Sequence, residues 1–424
     1  MSSPSPFPQV LPMRQRAAVI YELLQERLAT VLPGAMYDSD IDCWLILCQE
    51  DNLDPVYTTL LPMDTWCPIL QMLVFFAGTD DNGKPMVESF NISGTNTHDL
   101  YQRPYSGQLE TEQWPRLLQL LAERNPQRIG INIGSVQWAA GGLTHNLYTQ
   151  LVERLPAPYT ERLVSAEALA IRWLTRLTPS DIQFYEHVND VAHHVIAECY
   201  SRQSIIPGYT AITDLPWIYW QRCADLGFTM AFKPYFRLLR RPSQRARYGE
   251  EDLVIRPGDL IHCDVGFKYL GFNSDHQQWA YVLQPGEEAA PADLRHLLAE
   301  GNRLQNIYMA EFEVGLTGNQ LLQKILRRAR AEGIPNPRVY SHSVGRFLHE
   351  PGPLIGLPWE QEHNPGRGDV VVEHNSCFTM ELSVRAPVNT WEGEAVQLSM
   401  EEVVVFDATG CRPLAGRQQA FYLI

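Results

Sequence analysis

Four carboxylates and one imidazole stand inside apolar, strand-like frames in the C-terminal part of this 424-residue chain: Asp264, Asp275, His342, Glu381 and Glu401. A carboxylate on a largely buried strand is costly unless something neutralises it. A fold that carries four of them must gather them around a common positive charge, and a divalent cation bound by hard oxygen donors supplies it. The donor set suits Mn, Co, Zn or Fe(II) better than a thiolate-selective ion. None of the eight cysteines falls in a Cys-x-x-Cys pair, Cys43 and Cys48 being the closest two, which excludes zinc-finger chemistry.

The local pattern around the first two carboxylates supports convergence. Pro257-Gly258-Asp259 reads as a turn entering a strand that carries Asp264, and Gly271-Phe272-Asn273-Ser274-Asp275 returns toward a second strand through Trp279-Ala280-Tyr281-Val282. The two aspartates are expected to face each other across a hairpin. Any one of the five residues alone reads as a turn, cap or edge charge. Their order and separation together read as a two-metal hydrolase.

The segments PGDLIHCDVG, GFNSDHQQW, SHSVGRFLHEPG, FTMEL and SMEEVVVF resemble the successive metal-site motifs of the M24 metallopeptidases, over about residues 166–424. A looser similarity to the creatinase-type N-terminal domain covers most of the rest, which favours the aminopeptidase P, prolidase and creatinase branch. The resemblance implies an α+β chain with a C-terminal pita-bread catalytic domain over 166–424 and an N-terminal creatinase-like α/β domain over 1–165. It implies two divalent metal ions per chain. Asp264 would bind one ion, Asp275 and Glu401 would bridge both, and His342 and Glu381 would complete the shell. Glu381 would also take the proton from a metal-bridging water, and His349 would contact the scissile group and donate a proton there. A homodimer is a further implication of the family.

Four positions depart from the family pattern. Counting back from Asp264 to the place of a histidine near the leaving group gives Arg247; Arg338 replaces the histidine four residues before His342; Ser399 replaces an arginine; and Glu381-Leu382-Ser383 replaces Glu-Pro-Gly. The ligands survive and the groups around them change, so hydrolysis of the N-terminal bond of a short peptide or small amide is expected with altered specificity. A guanidinium cannot shuttle protons near neutrality, but it can clamp an anionic substrate group, and Arg247 is the candidate. It belongs to a basic island with Arg237, Arg240, Arg241 and Arg245, whose plainer reading is a solvated loop. The alternatives are a creatinase-like hydrolase of a non-peptide C–N bond and a non-catalytic binding protein on the same scaffold.

A formal net charge of −15 argues against nucleic-acid binding. No apolar run approaches a membrane span, and the start Met1-Ser2-Ser3-Pro4-Ser5-Pro6 lacks a basic-then-apolar leader, so a cytoplasmic protein with reduced thiols is expected. In the N-terminal region a helix over 13–32, strands at Cys43–Cys48 and Leu73–Phe76, a helix over Trp114–Arg124 and a strand over Ile129–Ile133 predict a mixed sheet. Further on, Thr178 or Ser180 caps a long helix expected to reach Pro207, and another covers Ile212–Leu226.

Overall fold

In the computed structural model, which describes residues 6–104, 110–135 and 140–424, the expected strand at Cys43 is β1 (Cys43–Gln49). The first five residues, read above for a leader, lie outside the described range. β1 is buried at nearly every position because it lies inside a five-stranded sheet and both its faces are covered. β2 (Leu70–Thr79) runs antiparallel beside it and β3 (Pro85–Asn91) antiparallel beside β2. On the other side β4 (Ile129–Ile131) and then β5 (Leu163–Ser165) add in parallel, giving the mixed order β3-β2-β1-β4-β5.

One face of this sheet (Leu45, Leu47, Met72, Val74) packs on Trp114, Leu117 and Leu121 of α2 (Glu110–Arg124). α1 (Met13–Asp38) is longer than the sequence suggests, continuing through Pro33, where Leu32, Ala35 and Met36 are fully buried. Tertiary burial there outweighs the helix hydrogen bond that proline cannot make.

This N-terminal unit spans Leu11–Asp181, past the Ser165 boundary expected from sequence. The physical reason is Arg27. Its guanidinium donates to Asp181 Oδ2 at 2.6 Å, to the Arg176 carbonyl at 2.7 Å and to the Trp173 carbonyl, while lying over the Trp173 ring at 4.6 Å. The short helix α3 (Glu167–Thr175) is thereby tied to α1.

The second unit comprises Ile182–Ile424 with the residues up to Val10. The cap of α4 (Pro179–Cys199) is Thr178: its hydroxyl accepts from the Asp181 N–H at 3.0 Å, and Asp181 Oδ2 accepts from the Thr178 N–H at 3.0 Å. α4 stops at Cys199, earlier than Pro207, because the hydroxyls of Ser201 and Ser204 take the Glu198 carbonyl at 2.7 and 2.8 Å. A 3₁₀ turn at Ile212–Asp214 leads into α5 (Leu215–Asp225).

Three strands then pair antiparallel in the order β8-β7-β6: β6 (Tyr235–Leu239), β7 (Leu260–Val265) and β8 (His276–Tyr281). Between β6 and β7 lies α6 (Pro242–Tyr248). Helices α7 (Ala292–Ala310) and α8 (Gly318–Ala331) follow, then a second antiparallel set, β9 (Arg338–Val339), β10 (Leu382–Pro387) and β11 (Ala395–Met400). Leu382, Val384, Leu398 and Met400 face the two helices in one hydrophobic core. α7 lies close on that face: a Cβ on Gly301 would come within 2.4 Å of the Met400 sulfur. Among the described residues no helix is long and apolar enough to cross a membrane.

Candidate metal centre

The two sets of strands are stitched together by a backbone bridge between Gln277 and Glu401, with both N–H···O contacts at 3.1 Å. Cross-strand register then lines up one row of residues across five strand segments. Tyr235 faces Asp264, Asp264 faces Gln277, Gln277 faces Glu401, and the β10–β11 register carried one step further puts Glu401 opposite Glu381. The Tyr340 N–H donates to the Glu381 carbonyl at 3.0 Å and closes the row. Side chains directly opposite in a ladder point to the same face. Three of the five expected ligands therefore share a face by register alone.

Asp275 precedes Gln277 by two residues and so joins that face. The expected facing of Asp264 and Asp275 is thus a diagonal one, with Gln277 directly opposite Asp264. His342, on a short strand paired with Leu354, completes the cluster. Ligand atoms of Asp275, His342 and Glu401 all lie within 4.8 Å of one another, and His342 Nε2 is 3.7 Å from Asp275 Oδ2. His349 stacks obliquely on His342, ring centres 4.4 Å apart.

Electrostatics limit the charge this cluster can carry. Burial pushes the Asp264 carboxyl up to about 6, against the pull of the nearby Arg237. Burial and then Asp264 push Glu381 up to about 8, although the Gln277 amide donates to it. Asp275 and Glu401 are raised well above the ordinary range, first by burial and then by the neighbouring carboxylates. Four such groups cannot all ionise side by side without a cation.

The imidazole fits the same conclusion. Burial, with His349 adding to it, pushes His342 down to about 3, so the ring is neutral. Its Nδ1 lies 3.1 Å from the Ser343 carbonyl, which assigns the proton to Nδ1 and leaves the Nε2 lone pair facing Asp275. A neutral imidazole held by a carbonyl on its far nitrogen is the form that ligates divalent metals. By charge, donor type and proximity the cluster fits divalent cations.

Two residues that sequence reading did not assign to the centre help to build it. Gln277 Nε2 donates to Glu381 Oε1 at 2.6 Å and to Glu401 Oε2 at 2.7 Å, and its Oε1 lies 3.1 Å from His262 Nε2. Arg237, on β6 opposite His262, acts electrostatically on Asp264 and lies over the Trp279 ring at 5.3 Å. Period-two spacing from Asp275 to Gln277 is the sequence signal for the first. Arg237 had none, because its side depends on the register of β6.

Arg247 is not brought to the centre. It is exposed on α6 with its guanidinium 5.1 Å from the Tyr248 ring. Of its neighbours, Arg240 is buried against Asp259 and Asp252, and Arg245 pairs with Glu394. Behind the centre, Glu402 points to the opposite face from Glu401 and accepts from His193 at 2.7 Å, His276 at 2.9 Å, Gln278 at 2.8 Å and the Gln418 N–H at 2.9 Å. This buried network fixes the strand ends that present Asp275 and Glu401.

The sequence profile of metallopeptidase family M24 matches residues 189–407, a span that contains every ligand candidate. The chain belongs to this family. Its fold is the pita-bread fold of M24 preceded by an α/β domain, and by family it is an M24-type metallopeptidase. Among solved structures it is similar to an X-Pro aminopeptidase from Thermotoga maritima (TM-score 0.63, 14% identity, covering 92% of this chain and 100% of that one). It is also similar to an Xaa-Pro dipeptidase from Bacillus anthracis (TM-score 0.60, 14% identity, 95% and 100%). The N-terminal domain of the FACT complex subunit SPT16 from Cicer arietinum shares the fold as well (TM-score 0.56, 10% identity, 94% and 98%). No curated protein sequence matches the chain.

Proposed function

We propose that this M24 member is a dinuclear metal-dependent hydrolase that removes the N-terminal residue of short peptides. The observation that carries the reading is the crowding of Asp264, Asp275, Glu381 and Glu401 beside a neutral His342, a set whose carboxyls are all driven upward until cations are supplied. Asp264 would serve one ion, His342 and Glu381 the other, with Asp275 and Glu401 shared; Mn, Co, Zn and Fe all suit the donors. Bound ions would polarise the scissile carbonyl and acidify a water.

The chain's own residues do the rest. Glu381 Oε1 is occupied by the Gln277 amide, which leaves Oε2 to take a proton from the attacking water. His262 holds Gln277, and Gln277 holds Glu381 and Glu401 at a fixed separation. His349, beside His342 and more open to solvent, would contact the scissile group as a hydrogen-bond donor, since burial and the nearby Arg367 hold its ring below the ordinary imidazole range and favour the neutral form. Arg237 takes the anion-binding role considered for Arg247, because it is the guanidinium beside Asp264.

The eight cysteines form no disulfide, which suits a reducing compartment such as the cytoplasm. Homodimer formation is supported by family resemblance. A second reading, metal-free hydrolysis of a small non-peptide C–N bond, is favoured by one observation: Gln277 and Arg237 already supply donors and positive charge to the carboxylates.

The test is hydrolysis of alanyl peptides by Mn-, Co- and Zn-loaded protein. Turnover that depends on metal and falls at least about 100-fold in Glu381→Gln with unchanged circular dichroism supports the proposal. Turnover of amides after exhaustive chelation would move the chain to the second reading.

A further inference from the structure

The face that carries the metal centre does not end there. Two residues along each strand from the row Tyr235–Asp264–Gln277–Glu401–Glu381–Tyr340 lies a second row: Arg237, His262, Trp279, Ser399, Ser383 and Arg338. Register supports each step, with Arg237 opposite His262, His262 opposite Trp279, Ser399 opposite Ser383 and Ser383 opposite Arg338. The Trp279 Nε1–H donates to the Ser399 carbonyl at 2.6 Å and bridges the two halves of the row.

One step further on the β10–β11 side comes Arg385 opposite Gln397. The intervening residues, Leu382, Val384, Leu398 and Met400, point the other way into the core. Along this face burial is uneven: Glu381 is partly buried and Glu401 2% exposed, Ser383 and Ser399 beyond them are buried, Gln397 is partly buried, and Arg338 and Arg385 are exposed. The face that carries the ligand candidates thus reaches solvent at Arg338 and Arg385.

At its outer end is a cleft of about 700 Å³ lined by Arg330, Arg338, Arg385, Asn336, Ser383 and Gln397 among others, with no carboxylate in its lining. Among the described residues none of these three arginines is paired with an acid. Elsewhere in this unit, in a chain of net charge −15, arginines such as Arg222 and Arg412 do find acids, Glu198 and Glu186 respectively. Three unpaired guanidinium groups converging on one cleft repel each other unless an anion is supplied.

We propose that this cleft is a substrate subsite for a carboxylate on the leaving side of the peptide, so that the protein selects short peptides ending in, or carrying, an acidic residue several positions beyond the scissile bond. The inference rests on the peptidase reading of the metal centre for the identity of the ligand. The distance follows from strand geometry: Glu381 to Arg385 is four residues of one strand, about 13 Å, or about four residues of extended peptide. An aminopeptidase leaves a single residue on the other side of the cleaved bond, so a group that far away belongs to the leaving peptide.

The experiment compares Ala-Ala-Gly-Gly-Glu with Ala-Ala-Gly-Gly-Gln-amide in two ways, by steady-state hydrolysis and by calorimetric binding of their uncleavable analogues with a reduced first amide bond. The proposal expects KM and Kd to favour the acidic peptide by roughly tenfold at low salt. In Arg338→Ala/Arg385→Ala, which alters only exposed side chains, that ratio should shrink to within about twofold. Hydrolysis of both peptides with no acidic preference, or a preference untouched by the double substitution, overturns the subsite and leaves the peptidase reading standing. Acid-selective binding that needs Arg338 and Arg385, without turnover of any peptide, supports the subsite and removes the peptidase reading instead.

Discussion

Gln277 and Glu401 are joined twice, through paired backbone contacts at 3.1 Å and through the Gln277 amide on Glu401 Oε2 at 2.7 Å. The same amide nitrogen reaches Glu381 Oε1 at 2.6 Å. One neutral side chain therefore spaces two acids that repel each other, and His262 orients it from behind.

Removing that spacer leaves both carboxylates with less to bind. Gln277→Ala is expected to weaken divalent-metal affinity about tenfold or more, as loss of an orienting partner does, and to lower the Tm of the chelated protein by several degrees. Metal titration and thermal unfolding with and without EDTA check this. Wild-type values in both would show that Gln277 spaces nothing.

Two arginines of one basic island are expected to behave differently. Arg237 acts on Asp264 within the centre, whereas Arg247 sits outside on the Tyr248 ring. Arg237→Ala should change kcat/KM by at least about tenfold and Arg247→Ala by less than about twofold. The reverse ranking would place the anion clamp on α6 after all.

The N-terminal unit offers a stability test independent of chemistry. Arg27 and Asp181 form an ion pair whose side chains are 3% and 0% exposed. Asp181→Asn leaves the guanidinium buried beside a neutral partner and also weakens the α4 cap, so a loss of about 3–5 kcal/mol is expected in urea unfolding. A loss under about 1 kcal/mol would mean that Arg27 does not hold the Arg176–Asp181 segment to α1.

Asp54 gives that unit a pH signature. Its carboxylate caps a short helix through the Val56 and Tyr57 N–H groups and accepts from Asn132, yet burial raises it from 3.8 to about 6. Between those values the folded state holds the proton more tightly than the unfolded state. Stability contributed by the protonated form is therefore lost as pH rises from about 4 to about 6, with a slope of at most roughly 1.4 kcal/mol per pH unit. Relative to Asp54→Asn, the wild type should lose stability across that window and run parallel above it; a flat difference from pH 4 to 7 would contradict the burial effect.

Much of the carboxylate cluster was legible in the sequence because acids in apolar frames are conspicuous, and cross-strand register gathers Asp264, Glu381 and Glu401 on the face that Asp275 and His342 join. The mixed sheet around Cys43–Gln49 was legible from its apolar runs. Gln277 and Arg237 were less so, since a glutamine or arginine on a strand gains meaning only from what faces it, and register is a long-range property. Arg247 illustrates the converse: a count along the chain pointed to it, but a helix between β6 and β7 takes up the intervening residues and turns it outward. The extent of the N-terminal unit hung on one buried guanidinium, whose partner lies 154 residues away.

The central claim is that Asp264, Asp275, His342, Glu381 and Glu401 jointly hold a pair of cations. Protein loaded with MnCl₂, freed of excess ion by gel filtration and analysed by inductively coupled plasma mass spectrometry is expected to carry about two ions per chain, and Asp275→Asn/Glu401→Gln is expected to carry fewer than about half of one. A metal content near zero in the wild type, or an equal content in the double variant, would contradict the account.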